Sequence, residues 1–339
     1  MRILRPLSAA LCACCLLQAA LTSSEQQLID SITPAELRAH VSFLAADALE
    51  GRDTPSMGLN VAAEYIASEF RRAGLEPAGD DGYFQTASFK GAKVRNVAAI
   101  LRGSDSRLNN TWLLVSAHYD HIGTKGTGPE ERIYNGANDD ASGTSSMLAL
   151  AEAFARLSER PKRSLLFIAY YGEEKGLLGS RYYAAHPLVP LARTEADLNL
   201  EHMGRTDDTE GPSLRRLSVT GFDYSDLTAW LKAAGQETGV TVYRHAKNSD
   251  PFFARSDNQA LADAGVPAHT LVAAFIFPDY HQPGDHWEKL DYENMAAVTR
   301  TVAVALSRLA NSDQAVRWNE DNPKAAKYAA AAKALSAAH

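Results

Sequence analysis

Hydrophobic positions along the chain fall into short continuous runs, separated by stretches in which they recur with helical spacing. The continuous runs are residues 94–101, 113–117, 165–170, 198–200, 217–219 and 270–277. Strands covered on both faces read this way, because neither face meets water. Helical spacing marks residues 144–157, 177–185, 224–235, 259–264 and 294–309. Upstream, Thr33-Pro34-Ala35-Glu36 supplies a cap, a proline at the first helical position and an early acid, opening a helix expected to run to about Leu49. Val61, Ala62, Tyr65, Ile66 and Phe70 form the apolar face of a second, from Gly58 to Ala73, with Gly74 as its stop. Alternating strands and helices predict an α/β protein, a three-layer α/β/α sandwich around a mixed, mainly parallel central sheet.

With 339 residues, 45% hydrophobic and 22% charged, the chain can bury a sizeable core and is not of disordered composition. Asp and Glu outnumber Lys and Arg by 41 to 34, a net charge of −7 that argues against nucleic acid and anionic membrane surfaces as partners. Arg2 and Arg5 precede an apolar run over residues 7–21. Its roughly fifteen residues fall short of the 17–25 that a membrane span needs. A charged start, a short apolar run and small residues at Ala19, Ala20, Ser23 and Ser24 predict a secretory signal over residues 1–24. No membrane span is expected, and the protein is expected in the periplasm or outside the cell. The alternative is a lipoprotein anchored at Cys14, since Leu11-Cys12-Ala13-Cys14 loosely resembles such a signal. Removing the segment leaves 32 basic against 41 acidic residues, a net charge of −9, and no cysteine, because Cys12, Cys14 and Cys15 all lie within it. A disulfide framework and a cysteine nucleophile are thereby excluded. One catalytic domain is expected over residues 25–312, followed by an Ala/Lys-rich tail over 313–339.

Five segments place metal-ligating residue types where an apolar run ends, the edge of an α/β sheet at which sites form. The first run ends in His118-Tyr119-Asp120, where the Asp120 carboxylate can order the imidazole. Asn138-Asp139-Asp140 sits on a glycine-punctuated loop ahead of a helix, and a carboxylate there can bridge two cations. Gly172-Glu173-Glu174 follows a buried strand, a pair suited to one metal ligand and one proton acceptor. Leu200-Glu201-His202 and Asp279-Tyr280-His281 complete the set. His121, His202, His269 and His286 lie near these segments, and spacing does not exclude them. Oxygen and nitrogen donors without sulfur point to a catalytic divalent ion such as zinc or manganese.

This ordered set, with Leu49-Glu50-Gly51-Arg52-Asp53 before it and Ser256-Asp257 through Pro267 after it, resembles the co-catalytic zinc aminopeptidases of metallopeptidase family 28. That family also holds glutamate carboxypeptidase II and resembles the glutaminyl cyclases. The resemblance runs from about Leu44 to Leu309 and implies a zinc-exopeptidase-like sandwich with two Zn2+ ions. By resemblance, Asp139 bridges both ions, His118 and Glu201 hold one, Glu174 and His281 the other, and Glu173 is the general base. Tyr280 resembles a tyrosine that donates a hydrogen bond to the tetrahedral intermediate. Asp120 and Asp140 stand behind the ligands, and the Asp139–Asp140 peptide resembles one that is cis. The family usually has Asp where this chain has Glu201, one methylene longer, and no space remains for the protease-associated insert of many relatives.

The implied activity is hydrolysis of N-terminal residues from peptides with a free N-terminus. Three alternatives accompany it: a zinc-dependent glutaminyl cyclase, which needs one metal, a carboxypeptidase of the same family, and a binding ectodomain without activity. Arg205, Arg244 and Arg255 are the candidate carboxylate partners for a carboxypeptidase.

Overall fold

The computed structural model describes residues 21–127 and 131–337. Residues 1–20 of the expected signal lie outside the described residues. Helices α1 (Ser23–Ser31) and α2 (Pro34–Leu44) are each opened by a threonine whose hydroxyl accepts the N–H of Glu25 or Glu36. The second ends earlier than its pattern suggests. Short helical turns over Asp47–Arg52 follow it, in which Glu50, Gly51 and Arg52 adopt positive φ. Gly51 is required there, because a Cβ would lie 2.4 Å from the Tyr134 carbonyl oxygen.

The remaining elements in chain order are α3 (Met57–Arg72), β1 (Glu76–Pro77), β2 (Phe84–Phe89), β3 (Ala92–Leu101), β4 (Trp112–His118), β5 (Gly123–Thr124) and β6 (Ile133–Tyr134). Next come α4 (Gly143–Ala155), β7 (Ser164–Tyr170), α5 (Leu178–Ala185), β8 (Thr194–Glu201), β9 (Arg216–Val219), α6 (Leu227–Thr238) and β10 (Thr241–Tyr243). The chain closes with α7 (Asn258–Asp263), β11 (Ala268–Val272), α8 (Tyr292–Asn311) and α9 (Ala326–Ala337). Every expected strand and helix is present. The tail forms α9, with Trp318 stacked on Tyr328 and its Nε1–H donated to the Gly265 carbonyl at 2.9 Å.

The central sheet runs β1-β3-β7-β4-β8-β11-β9-β10, with β2 also paired to β3. Its middle, β7-β4-β8-β11, is parallel, and β3 and β9 join it antiparallel. Side chains of one strand alternate between two cores. Leu113, Val115 and Ala117 of β4 face the helices that include α4 and α8, whereas Trp112 and Leu114 face the side of α7 and α9. Two sequence expectations shift at the edges. The half-polar β2 was not apparent from hydrophobic runs, since an edge strand needs only one covered face. Residues 273–277, expected to continue the last strand, leave the sheet instead: the N–H groups of Ala273 and Ala274 reach the His202 carbonyl and that of Phe275 reaches the Asp208 carboxylate.

Arg52 ties the early turns to the sheet. Its fully buried guanidinium donates to the carbonyls of Tyr119 (2.8 Å), Asn135 (2.7 Å), Gly136 (2.9 Å) and Leu44. Burial pulls it down to about 10, against the acids Asp120, Asp139, Asp140 and Asp285, so it stays charged at neutral pH. Replacing it with methionine, Arg52→Met, removes the donor from the carbonyls of Tyr119, Asn135 and Leu44, while that of Gly136 keeps the N–H of Ala141. A loss of about 3 kcal/mol is expected. It would be read as a lower urea midpoint, with Arg52→Lys recovering only part.

Candidate metal centre

The four parallel strands end on one edge of the sheet, and the five sequence segments meet there. His118 is the last residue of β4 and Glu201 the last of β8. Glu173 and Glu174 occupy the first turn after β7, and His281, at φ 55°, lies in the loop beyond β11. Asp139 sits in the tight turn ahead of α4, and the Asp139–Asp140 peptide is cis.

Asp139 is the meeting point, and its two oxygens face different groups. Oδ1 lies 3.3 Å from His118 Nε2 and 3.5 Å from His202 Nε2. Oδ2 lies 3.1 Å from His281 Nε2 and 3.8 Å from His121 Nδ1. Glu174 Oε1 joins the second group, 3.0 Å from His121 Nδ1 and 3.3 Å from His281 Nε2. Donor atoms of His118, Asp139 and Glu201 all lie within 4.8 Å of one another, as do those of His121, Asp139 and Glu174. Of the predicted site residues, the structure thus brings His118, Asp139, Glu174, Glu201 and His281 together. Glu173 and the half-buried Tyr280 line the same cavity.

The surrounding backbone fixes this arrangement. Asp120 Oδ1 accepts the N–H of Glu173 at 3.0 Å and Oδ2 the Thr54 hydroxyl at 3.2 Å, while its carbonyl lies 3.2 Å from His118 Nδ1. That contact leaves Nε2 of His118 facing Asp139. Asp140 Oδ1 accepts from Gly143 (2.9 Å) and His202 (3.2 Å), joining the start of α4 to the end of β8. Asp285, fully buried, accepts the N–H groups of Asn138 and Asp139 at 3.0–3.1 Å. Asn138 in turn accepts those of Gly204 and Arg205. Asp285, four residues beyond His281, is a positioning residue that no local pattern marks.

A divalent cation fits this donor set. His118 Nε2, His121 Nδ1, Glu174 Oε1 and His202 Nε2 are buried and make no hydrogen bond, although the imidazole nitrogens all face Asp139 or Glu174. Buried polar atoms rarely remain unpaired, and so many acceptors gathered away from water call for positive charge between them. Without a metal ion, protonated imidazoles are the positive charge these acids meet. Burial alone would raise Asp139, but the imidazoles of His202, His121 and His118 hold it well below the carboxylate range. Glu174, against burial and the charge of Asp139, is drawn down to about 2 by His121 and His281. Burial pushes Glu173 well above its usual range, with Glu201, Asp257 and Glu174 adding to the shift and His118 opposing it.

The centre opens into a cavity of about 310 Å³, walled beyond the acids by Thr220, Phe252, Arg255, Val272 and Phe275. Of the three candidate carboxylate partners, only Arg255 lines it. Arg205 is held by Asp207 and Asp279, and Arg244 by Asp223 and Asp250. His269 lies elsewhere, its Nδ1–H donated to the Thr220 carbonyl and its Nε2 against the Ser225 hydroxyl, and His286 pairs with Glu131. His121 and His202 are the histidines that spacing left open and the fold draws in.

A family model described as peptidase family M28 matches residues 96–306. A probable zinc metalloprotease of Pyricularia oryzae is 29% identical over 291 residues, covering 81% of this chain and 56% of that protein. The aminopeptidase YwaD of Bacillus subtilis is 28% identical over 228 residues, covering 65% of this chain and 44% of its own. The chain spans about half the length of these relatives. An aminopeptidase from Aneurinibacillus sp. strain AM-1 superposes with a TM-score of 0.65 at 18% identity, over 83% of this chain and 95% of that one. At that identity the likeness bears on the fold alone.

The position of Asp139 depends on Asp285, so Asp285→Asn is expected to weaken zinc binding about 10–100-fold, as loss of a supporting carboxylate commonly does. Competition with a chromophoric chelator measures this, and circular dichroism checks that the fold is kept.

Proposed function

The chain belongs to peptidase family M28, and from that premise we propose that it is an exported aminopeptidase, a co-catalytic di-zinc exopeptidase that removes N-terminal residues from peptides. One observation carries the reading: each oxygen of Asp139 faces a separate set of donor atoms that have no hydrogen bond. A bridging carboxylate with a donor set on either side favours two ions over the single ion of a cyclase.

His118, Asp139 and Glu201 would hold one zinc, and Asp139, Glu174 and His281 the other, with His121 Nδ1 beside the second set. Bound there, the ions would supply Lewis acidity toward a carbonyl oxygen and an attacking water. Glu173 takes the proton from that water and returns it to the leaving amine, so one carboxyl serves as base and then acid. Its raised affinity for a proton suits the second half of the cycle. Burial first, then the charges of Asp139, Glu201 and Glu174, keep the Tyr280 phenol protonated well into the alkaline range. It therefore remains a donor for the oxyanion of the intermediate.

Cavity size and charge set the polarity of the substrate. A volume of about 310 Å³ lies at the small end of ligand pockets and accommodates an end of a peptide rather than its middle. With Asp139, Glu174 and Glu201 engaged as ligands, Glu173 is the carboxyl of the wall left for the free α-amine of a peptide to meet. Phe252, Val272 and Phe275 face the first side chain.

No helix among the described residues is long and apolar enough to cross a membrane. Export with cleavage after Ala20 would keep the capping box of Thr22 and Glu25 that opens α1, whereas cleavage at Ser24 would remove Thr22. Glu25 also accepts Arg308 Nε at 2.6 Å, so the start of α1 belongs to the fold.

Chelation is expected to abolish hydrolysis of aminoacyl amides, and zinc to restore it. Glu173→Gln should lower kcat by about 10²–10⁴-fold with KM little changed. N-acetylated substrates should not be cleaved. Full activity of Glu173→Gln would overturn its role, and cyclisation of N-terminal glutamine without amide cleavage would replace the aminopeptidase reading with the cyclase.

A further inference from the structure

We propose that His202 is a fourth protein ligand at the Glu201 end of the centre, completing a set with His118, Asp139 and Glu201. This rests on the metal-centre reading above and extends it to a residue outside the five resemblance-derived ligands.

The backbone of His202 is fixed on both sides. Its φ is 53°, the left-handed region that a non-glycine residue enters at a cost, and its N–H and carbonyl are both engaged. The N–H donates to Asp140 at 3.2 Å, and the carbonyl accepts from Ala273 and Ala274 at 3.3 Å. The ring is held just as firmly. It packs edge to face against Phe277 and Tyr280, with centroids 5.4 and 5.3 Å away, and only 2% of the residue is exposed.

The tautomer follows from one contact. Nδ1 lies 3.2 Å from the Phe275 carbonyl oxygen, which can only accept, so Nδ1 carries the hydrogen. In the neutral ring Nε2 then presents a lone pair. That atom makes no hydrogen bond and lies 3.5 Å from Asp139 Oδ1 and 3.6 Å from Glu201 Oε1. A lone pair facing two carboxylate oxygens in a buried site is repelled unless a proton or a metal ion lies between them.

The separations match ligand spacing better than hydrogen bonding. Hydrogen bonds from nitrogen to oxygen cluster at about 2.7–3.2 Å. Ligand atoms bound at about 2.0–2.2 Å around a tetrahedral zinc stand roughly 3.3–3.6 Å apart. His118 to Asp139 (3.3 Å), His202 to Asp139 (3.5 Å) and His202 to Glu201 (3.6 Å) all fall in that range. The extra imidazole sits next to Glu201, the acid one methylene longer than the family usually has. With His202 included, each oxygen of Asp139 faces two imidazoles, His118 and His202 on one side and His121 and His281 on the other.

Zinc titration of the metal-free protein against a chelator tests this, alongside His202→Phe, which keeps the aromatic packing and removes the nitrogen. The expected result is two zinc ions per wild-type chain, with one site weakened at least tenfold in the variant and the other unchanged. A folded variant that binds both ions as the wild type does overturns the inference and leaves the peptidase reading intact. Wild-type protein that binds no zinc overturns both. X-ray absorption at the zinc edge of the protein carrying two equivalents gives a second readout: His202→Phe is expected to remove one imidazole from the total seen by the two ions, and an unchanged total overturns the proposal.

Discussion

The structure depends on a concentration of negative charge withdrawn from water around Asp139. Asp120, Asp139 and Asp140 are buried together, with Glu173, Glu174 and Glu201 at their margin. Such a group is costly unless cations compensate it, and no arginine or lysine forms an ion pair with Asp139, Glu174 or Glu201 among the described residues. Imidazoles surround it instead, and they are neutral metal ligands as readily as charged partners. The arrangement thus suits a bound divalent ion, and it explains why His118 Nε2, Glu174 Oε1 and His202 Nε2 are left without hydrogen bonds.

Holding that charge requires a frame that does not relax. The sheet supplies part of it, because His118 and Glu201 are terminal residues of adjacent parallel strands. The rest comes from buried polar side chains that grip backbone. Arg52 holds the carbonyls on either side of the His118 and Asp139 segments, Asp285 holds the N–H groups of Asn138 and Asp139, and Asp140 joins α4 to β8. Loops fixed in this way act as rigid elements, and the donor atoms they carry keep their spacing.

Much of this was legible in the sequence because the physics is local. Continuous apolar runs identified the buried strands, and the strand ends then located the site edge. The resemblance supplied roles for His118, Asp139, Glu174, Glu201 and His281, and the fold brings those residues together. What was not legible depends on distant contacts. Edge strand β2 carries no continuous apolar run, and the departure of residues 273–277 from the sheet depends on Asp208 and His202. His121 and His202 stood beside the right segments, but their inclusion depends on ring directions that spacing does not determine. Arg52 and Asp285 act through backbone groups far along the chain, and no local pattern records such a grip.

The central claim is that Asp139 lies between two metal ions. Anomalous diffraction from crystals of zinc-loaded protein, collected on both sides of the zinc edge, tests it most directly. The account predicts two zinc peaks, one on the side of His118 and Glu201 and one on the side of Glu174 and His281, with an oxygen of Asp139 toward each. A single peak, or zinc bound away from Asp139, would contradict it.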